Sequence, residues 1–293
     1  MAYDEVNWAK WKLKRIANEG AELPGVRWLT KPLYRRIFRR RHRSGNAYFG
    51  VFDSYEAAKT AAPPALPSTY DFAGAAGMYQ DQHQAIRVSD YPLVYWLRRL
   101  LDEGQRRLFD LGGHIGVTYY GFQRYIDYPA DMRWLVHDVP AVVDAGREWA
   151  AQHDARKSLH FTASRSDAEG NDVLLTSGAL QYLEYTLPEL LRTLEPAPPH
   201  VLVNLVPMHP RRSYFTLQNI GKAVLPYRVM AVPEFVAAME ALGYVKKDEW
   251  NSTERSLRIP FEPACNIDGY QGFYFQKVHD RTVVGIAGSA RAT

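Results

Sequence analysis

The fold is decided by the residues Arg107-Leu108-Phe109-Asp110-Leu111-Gly112-Gly113-His114-Ile115-Gly116-Val117-Thr118. A short apolar run ends on an acid, a glycine-rich turn follows, and the next residues can begin a helix. In a strand-to-helix turn of this kind a nucleotide-like ligand can lie directly against bare backbone, and the helix N–H groups point toward any anionic part of it. The stretch therefore predicts a ligand site at the end of a central strand.

The acid at the end of this strand, Asp110, indicates which ligand the turn accepts. A carboxylate there suits a ligand with an ammonium group, such as the methionine half of S-adenosylmethionine, whereas the pyrophosphate of a dinucleotide would be repelled. The glycines also run Gly-Gly-x-x-Gly and not the Gly-x-Gly-x-x-Gly of dinucleotide sites. Dinucleotide binding is the nearest alternative function. A purely structural alternative is that the glycines serve only to let the backbone pack closely.

Short apolar segments alternate with helical ones through most of the chain, which predicts a mostly parallel sheet with helices on both faces. We expect a Rossmann-like, seven-stranded α/β fold whose ligand lies beyond the carboxyl ends of the strands. The predicted strands are 108–111, 133–137, 159–162, 172–177, 201–206, 244–247 and 272–278. Asp138, after the second strand, is placed to bind ribose hydroxyls or to cap the helix that begins near Pro140.

We divide the chain into three parts. Residues 1–100 are expected to form a helical lid and acceptor region, 101–278 the Rossmann-like domain, and 279–293 a flexible tail. Residues 1 to about 45 have apolar residues near helical spacing, and the aromatic segments 70–72 and 78–80 are candidate lid material. The alternative for this aromatic N-terminal region is a homodimer interface.

Composition excludes several classes of protein. Of the 293 residues 46% are hydrophobic, and no apolar run approaches the length of a membrane span. The first residues show no basic leader followed by an apolar stretch, so we expect no secretory signal. A single cysteine, Cys265, excludes an internal disulfide and a cysteine-rich zinc site. We therefore expect a cytoplasmic protein with no metal.

The net charge of +4 is concentrated between Lys31 and Arg43, where seven basic residues and no acid occur. Such a cluster can attract the phosphates of nucleic acid, lipid or an activated sugar. The alternative is a solvated helix face whose apolar residues, Leu33, Tyr34, Ile37 and Phe38, turn inward. Nucleic-acid binding is not expected, because base-stacking aromatic residues are not interleaved with the charges.

Three segments together resemble class I S-adenosylmethionine-dependent methyltransferases: 110–116, 137–143 and 172–184. The nearest resemblance is to a methyltransferase family often encoded with surface-polysaccharide genes, whose members share the Gly-Gly-x-x-Gly turn, the segment Ser177-Gly178-Ala179-Leu180-Gln181-Tyr182-Leu183-Glu184, and an upstream box that corresponds to 50–58 here. The resemblance covers roughly residues 48–277.

The resemblance implies roles for individual residues. Asp110 would hold the methionine amino group, Asp138 the ribose hydroxyls, and the loop at Ser164 would lie near adenine. Tyr182 would stand beside the sulfonium, where a tyrosine face attracts a cation. The remaining cofactor residues that it implies are Gly112, Gly113, Gly116, Thr118, Ser177 and Gly178.

Methyl transfer to a hydroxyl benefits from a base, and His209, after the fifth strand, is the preferred candidate over His114. We expect S-adenosylmethionine-dependent O-methylation of a small-molecule or saccharide-type acceptor. Two alternatives stay open. One is an enzyme that consumes the same cofactor by cyclisation or elimination and releases methylthioadenosine. The other is a non-catalytic binding module on the same fold.

Overall fold

A single ten-stranded sheet organises the part of the chain that the computed structural model describes, namely residues 20, 22–23, 25–42, 45–69 and 86–278. The strands are β1 (Ala47–Phe52), β2 (Arg107–Leu111), β3 (Arg133–His137), β4 (Leu159–Thr162), β5 (Val173–Ser177), β6 (His200–His209), β7 (Tyr214–Asn219), β8 (Val224–Ala231), β9 (Tyr244–Ser252) and β10 (Tyr270–Lys277). The helices are α1 (Arg27–Arg39), α2 (Tyr55–Ala61), α3 (Tyr91–Asp102), α4 (Val117–Phe122), α5 (Pro140–His153), α6 (Leu187–Arg192) and α7 (Val232–Glu240).

The seven predicted strands form the main sheet, in the order β4-β3-β2-β5-β6-β10-β9. Neighbours from β4 to β6 are parallel, and β10 is antiparallel to both of its neighbours. Chain order runs outward from β2 on one side and from β5 on the other, so the direction of the strand order reverses between β2 and β5. In open α/β sheets a ligand crevice lies at that switch point.

Helices cover both faces of the main sheet, as predicted. On β5 the side chains alternate: Leu174 packs with α6 and α7, while Val173 and Leu175 pack with α3 and α4. This is the period of two expected of a strand buried on both faces. The apolar positions of α3 follow the helical period of an amphipathic surface; they are Leu93, Leu97, Leu100 and Leu101.

Three strands were not predicted. β7 and β8 form an antiparallel hairpin, β1 adds to the outer edge of β7, and β8 pairs in parallel with the last two residues of a long β6. The hairpin turn is tightened by the Asn219 side chain, which accepts a hydrogen bond from the Gly221 N–H at 2.7 Å. We call β1, β7 and β8 the accessory sheet.

The two faces of the accessory sheet have different neighbours. On one face α1 and α2 pack on Phe215 and Leu217. On the other face four tyrosines cluster below the end of β6: Tyr48, Tyr214, Tyr227 and Tyr270. The accessory sheet thus lies between α1 on one side and this tyrosine cluster on the other.

The N-terminal hundred residues are not uniformly helical. Within the helix predicted over residues 1 to about 45, the structure describes α1, while residues 1–19 lie outside the described part of the chain, as do the lid segments 70–72 and 78–80 and the tail 279–293. β1 belongs to the same sheet as β7. The inward face predicted for the basic helix is only partly right: Phe38 is buried, but Leu33 and Ile37 are exposed.

The contact between α5 and β4 gives a test of this packing. A Cβ atom added at Gly146 would lie 2.3 Å from the Phe161 ring. We expect Gly146→Ala to lower the free energy of unfolding by about 1–3 kcal/mol through overpacking, as measured by urea denaturation. In the control Gly121→Ala the nearest atom is Ile86 Cγ2 at 3.6 Å, so helix propensity should leave stability unchanged or higher by up to about 1 kcal/mol. Equal losses in the two variants would contradict the packing.

Candidate functional site

The switch point is built from two turns that contact each other. The turn after β2 is tied to the next strand, because the Gly112 N–H donates to the His137 carbonyl at 2.8 Å. Gly112 has a φ of +74°, and a Cβ atom there would lie 2.3 Å from the Cβ of Ala179 in the turn after β5. Glycine is therefore required at this position by the backbone conformation and by the neighbouring turn.

Asp110 lies at the centre of this arrangement. Its side chain is buried, with 1% exposure, and Oδ2 accepts a hydrogen bond from Trp134 Nε1 at 3.1 Å. A Cβ atom on Gly113 would lie 2.4 Å from the same oxygen, so the absence of a side chain at Gly113 makes room for the carboxyl group. Gly116 is the N-cap of α4, and a Cβ atom added there would lie against the Leu159 side chain.

The pKa of Asp110 is raised to about 7, mainly by burial and with a smaller contribution from the negative charge of Asp138, while the Trp134 hydrogen bond acts in the opposite direction. A carboxyl group removed from water favours its neutral form unless a cation or several hydrogen-bond donors compensate for the lost hydration. The Asp110 carboxyl therefore suits a ligand that brings positive charge.

Asp138 follows β3 and faces the same turn. Its Oδ2 accepts the His114 N–H at 3.0 Å, and its Oδ1 accepts the Val139 N–H at 2.8 Å. Burial raises the pKa of Asp138, although both of these N–H groups act in the opposite direction. The carboxylate connects the glycine turn to the start of α5, and each of its oxygens has a further lone pair.

Sequence reasoning missed Asn204, the fully buried residue that organises the other side of the switch point. Its Nδ2 donates to Asp90 Oδ1 at 3.1 Å and lies 3.4 Å from Ser177 Oγ, and its Oδ1 accepts from Trp250 Nε1 at 2.9 Å. The backbone carbonyl of Asn204 accepts a hydrogen bond from the Gly178 N–H. A polar residue inside the otherwise apolar predicted strand 201–206 is the signal that could have identified it.

The turn after β5 also carries Gln181 and Tyr182. Gln181 is buried, its Nε2 donates to the Gly178 carbonyl at 2.6 Å, and its Oε1 is buried without a hydrogen-bond partner among the described residues. The half-buried Tyr182 donates its hydroxyl to Gln218 Oε1 at 2.9 Å, and its ring packs edge-on against Tyr227. Gln218 in turn donates to the Tyr48 hydroxyl at 3.1 Å.

Two other predicted cofactor residues lie at the ends of neighbouring elements. Ser164 is exposed on the loop after β4, where its hydroxyl pairs with that of Ser166 at 2.8 Å. Thr118 is half-buried in the first turn of α4. Gly178, by contrast, lies directly at the switch point with a φ of +70°, and a Cβ atom there would have its nearest neighbours 3.9 Å away.

His209 is held by backbone groups. Its Nδ1 accepts the N–H groups of Arg211 and Arg212 at 3.1 and 3.2 Å, so the proton is on Nε2, which donates to the Ala264 carbonyl at 3.1 Å. Burial lowers the pKa of His209, and the two arginines lower it further. With both nitrogens engaged, the buried imidazole of this structure has no lone pair free to accept a proton from a substrate.

Within the described ranges, histidine, cysteine, aspartate and glutamate form no cluster of three that could hold a metal ion. None of the helices in those ranges is both long and apolar enough to cross a membrane.

No protein-family model matches the chain, and no curated protein matches it. Several solved methyltransferase structures resemble it. The 1,6-didemethyltoxoflavin-N1-methyltransferase of Burkholderia thailandensis is 19% identical with a TM-score of 0.42, over 66% of this chain and 79% of that one. The magnesium protoporphyrin IX methyltransferase of Synechocystis PCC 6803 is 12% identical with a TM-score of 0.43, over 64% and 80%.

The pH dependence of stability tests the burial of Asp110. The pKa of about 7 lies above the ordinary value of 3.8, so between these values the folded protein binds more protons than the unfolded chain, and its stability falls as the pH rises. Asp110→Asn keeps an oxygen for Trp134 but carries no charge. Its gain in melting temperature over the wild type should be small at pH 4 and largest above pH 7. The control Asp102→Asn, at an exposed site, should show no such trend. A gain independent of pH would contradict the burial.

Proposed function

We propose that this protein is an S-adenosylmethionine-dependent methyltransferase that acts on a small-molecule or saccharide-type acceptor, most simply at a hydroxyl oxygen. The observation that carries the proposal is the buried carboxyl group of Asp110, which lies beside side-chain-free backbone at the switch point of the sheet. When bound, S-adenosylmethionine supplies a methyl group that its sulfonium has already activated, so the protein contributes mainly alignment.

The charge balance at Asp110 favours a cationic ligand group. The carboxyl accepts one hydrogen bond from Trp134, and a ligand ammonium would add a charge-assisted hydrogen bond, a type worth about 1.5–3 kcal/mol. A pyrophosphate at the same place would meet like charge from Asp110 and Asp138. The same two carboxylates that favour S-adenosylmethionine thus disfavour a dinucleotide.

Further acceptors surround the proposed cofactor site. Asp138 retains lone pairs for ribose hydroxyls while it holds the N–H groups of His114 and Val139. The Oε1 of Gln181 has no hydrogen-bond partner among the described residues, and a ligand N–H or O–H donor would satisfy it. We propose Gly112, Gly113 and Gly116 as the turn that bounds the site. We also assign to it Thr118, Ser164, Ser177 and Gly178, as the resemblance implies.

Tyr182 is proposed to form the wall between cofactor and acceptor. Because its hydroxyl hydrogen is directed at Gln218, the Tyr182 oxygen can only accept hydrogen bonds from a ligand, which suits an acceptor hydroxyl. Its ring can also attract the sulfonium, an interaction worth about 0.5–2 kcal/mol. We propose no general-base role for His209, since both of its ring nitrogens are occupied.

Calorimetric titration with S-adenosylmethionine tests the role of Asp110. The ammonium binds the ionised carboxylate, so wild-type affinity should fall as the pH decreases below about 7. We expect Asp110→Asn to weaken binding roughly 10- to 100-fold, as loss of a charge-assisted hydrogen bond implies, and to remove this pH dependence. Asp102→Asn should bind like the wild type. Unchanged affinity in Asp110→Asn would refute the site.

Product analysis tests the reaction. With a range of hydroxylated acceptors, including saccharides, mass spectrometry should detect S-adenosylhomocysteine and an acceptor that has gained a methyl group. Release of methylthioadenosine would instead favour cyclisation or elimination. Binding of the cofactor with no turnover of any acceptor would favour a non-catalytic module.

A further inference from the structure

Among the described residues, helix α1 contacts the rest of the protein through the face that carries Tyr34 and Phe38. Phe38 is buried against the accessory sheet, and its carbonyl accepts a hydrogen bond from Asn219 Nδ2 at 2.7 Å. Tyr34 donates its hydroxyl to the Tyr48 carbonyl at 3.0 Å. Near the start of the helix, Lys31 pairs with Glu262 at 2.7 Å. These contacts determine which side of α1 faces away from the protein.

The outward side of α1 is apolar to an unusual degree for a protein surface. Trp28 is 70% exposed on an adjoining side of the helix, and Leu29, Leu33 and Ile37 are 57%, 58% and 55% exposed. The last three recur every four residues, so they form one stripe along the helix. Contiguous exposed apolar residues of this kind mark an interaction site more often than an ordinary surface.

The same side carries a strong positive charge. Arg36, Arg39 and Arg40 are exposed there, and the sequence contains no acid between Glu22 and Asp53. Glu262 pairs with Lys31 and Arg27 near the beginning of the helix, away from these three arginines. The outward face therefore combines an apolar stripe with arginines that no acid of α1 balances, and Trp28 lies at its edge.

We propose that the outward face of α1 docks on the surface of an anionic lipid bilayer. A basic amphipathic helix of this kind lies in the plane of the interface, with apolar residues among the upper acyl chains and arginines at the anionic headgroups. Each arginine near such a surface increases partitioning about fivefold. The helix would bind to the bilayer without crossing it.

The charge pattern of this face argues against two other binding partners, a second copy of the chain and a nucleic acid. A second copy of the chain, packed through the same face, would bring Arg36, Arg39 and Arg40 of both copies together with no acid of α1 to compensate. A nucleic acid would match the arginines, but its phosphates gain nothing from the stripe of Leu29, Leu33 and Ile37. A bilayer with anionic headgroups satisfies both the charge and the apolar stripe.

Flotation of the full chain with vesicles tests the docking. Wild-type protein should float with vesicles of phosphatidylcholine containing one-third phosphatidylglycerol and much less with phosphatidylcholine alone. The triple variant R36Q/R39Q/R40Q should lose on the order of 100-fold in partitioning. The control R98Q/R133Q/K247Q removes the same charge from exposed sites elsewhere and should bind as the wild type does.

A second variant separates insertion from simple charge attraction. L29S/L33S keeps every arginine and changes only exposed side chains, so it should fold normally yet lose flotation, whereas V245S/V278S, at other exposed apolar sites, should not. Brominated lipids should quench wild-type tryptophan fluorescence more than that of Trp28→Phe.

Four results would overturn the proposal. The first two are a wild type that does not float and flotation that L29S/L33S does not reduce. The third is a dimer, formed without lipid, that the L29S/L33S substitutions dissociate. The fourth is arginine-dependent binding of RNA or DNA by a protein that does not bind vesicles. Docking through α1 is independent of the chemistry at Asp110, so Asp110→Asn should float like the wild type.

Discussion

The burial of one carboxyl group, that of Asp110, governs the arrangement of the candidate site. The group occupies the space that a side chain on Gly113 would need, and its only hydrogen bond that the structure shows among the described residues comes from Trp134 on the neighbouring strand. Retaining an acid here costs stability that grows as the pH rises above the ordinary pKa of 3.8 and is complete above about 7, because the charged form lacks water. Such a cost at the end of a strand is typical of a binding site, where a ligand supplies the missing countercharge.

The accessory sheet connects this site to the rest of the surface. It extends β6 beyond the main sheet and places Gln218 where it accepts the hydroxyl of Tyr182. Its opposite face supports α1. One short antiparallel layer thus positions both the tyrosine wall of the proposed acceptor site and the helix proposed to contact a lipid surface.

The main sheet was predictable because its signals are local. Apolar runs bounded by turns indicate buried strands, and the run-acid-glycine pattern around Asp110 identifies the strand at the switch point. β7 and β8 were missed although aromatic and β-branched residues flank a turn at Gly221, which is a recognisable hairpin signal. The inward orientation expected of Leu33 and Ile37 was wrong, because periodicity shows that a helix has faces but not which face meets the protein.

The α/β architecture, the place of the glycine turn and the acid beside it could be predicted from the sequence, since they depend on residues adjacent in the chain. How those residues are used depends on contacts that form only in the folded protein. Asn204 joins Asp90, Ser177 and Trp250, and backbone groups remote from its strand occupy His209. These contacts depend on which strands and loops meet in space, and hydrogen-bond partners far apart in the chain leave no periodic trace in the sequence.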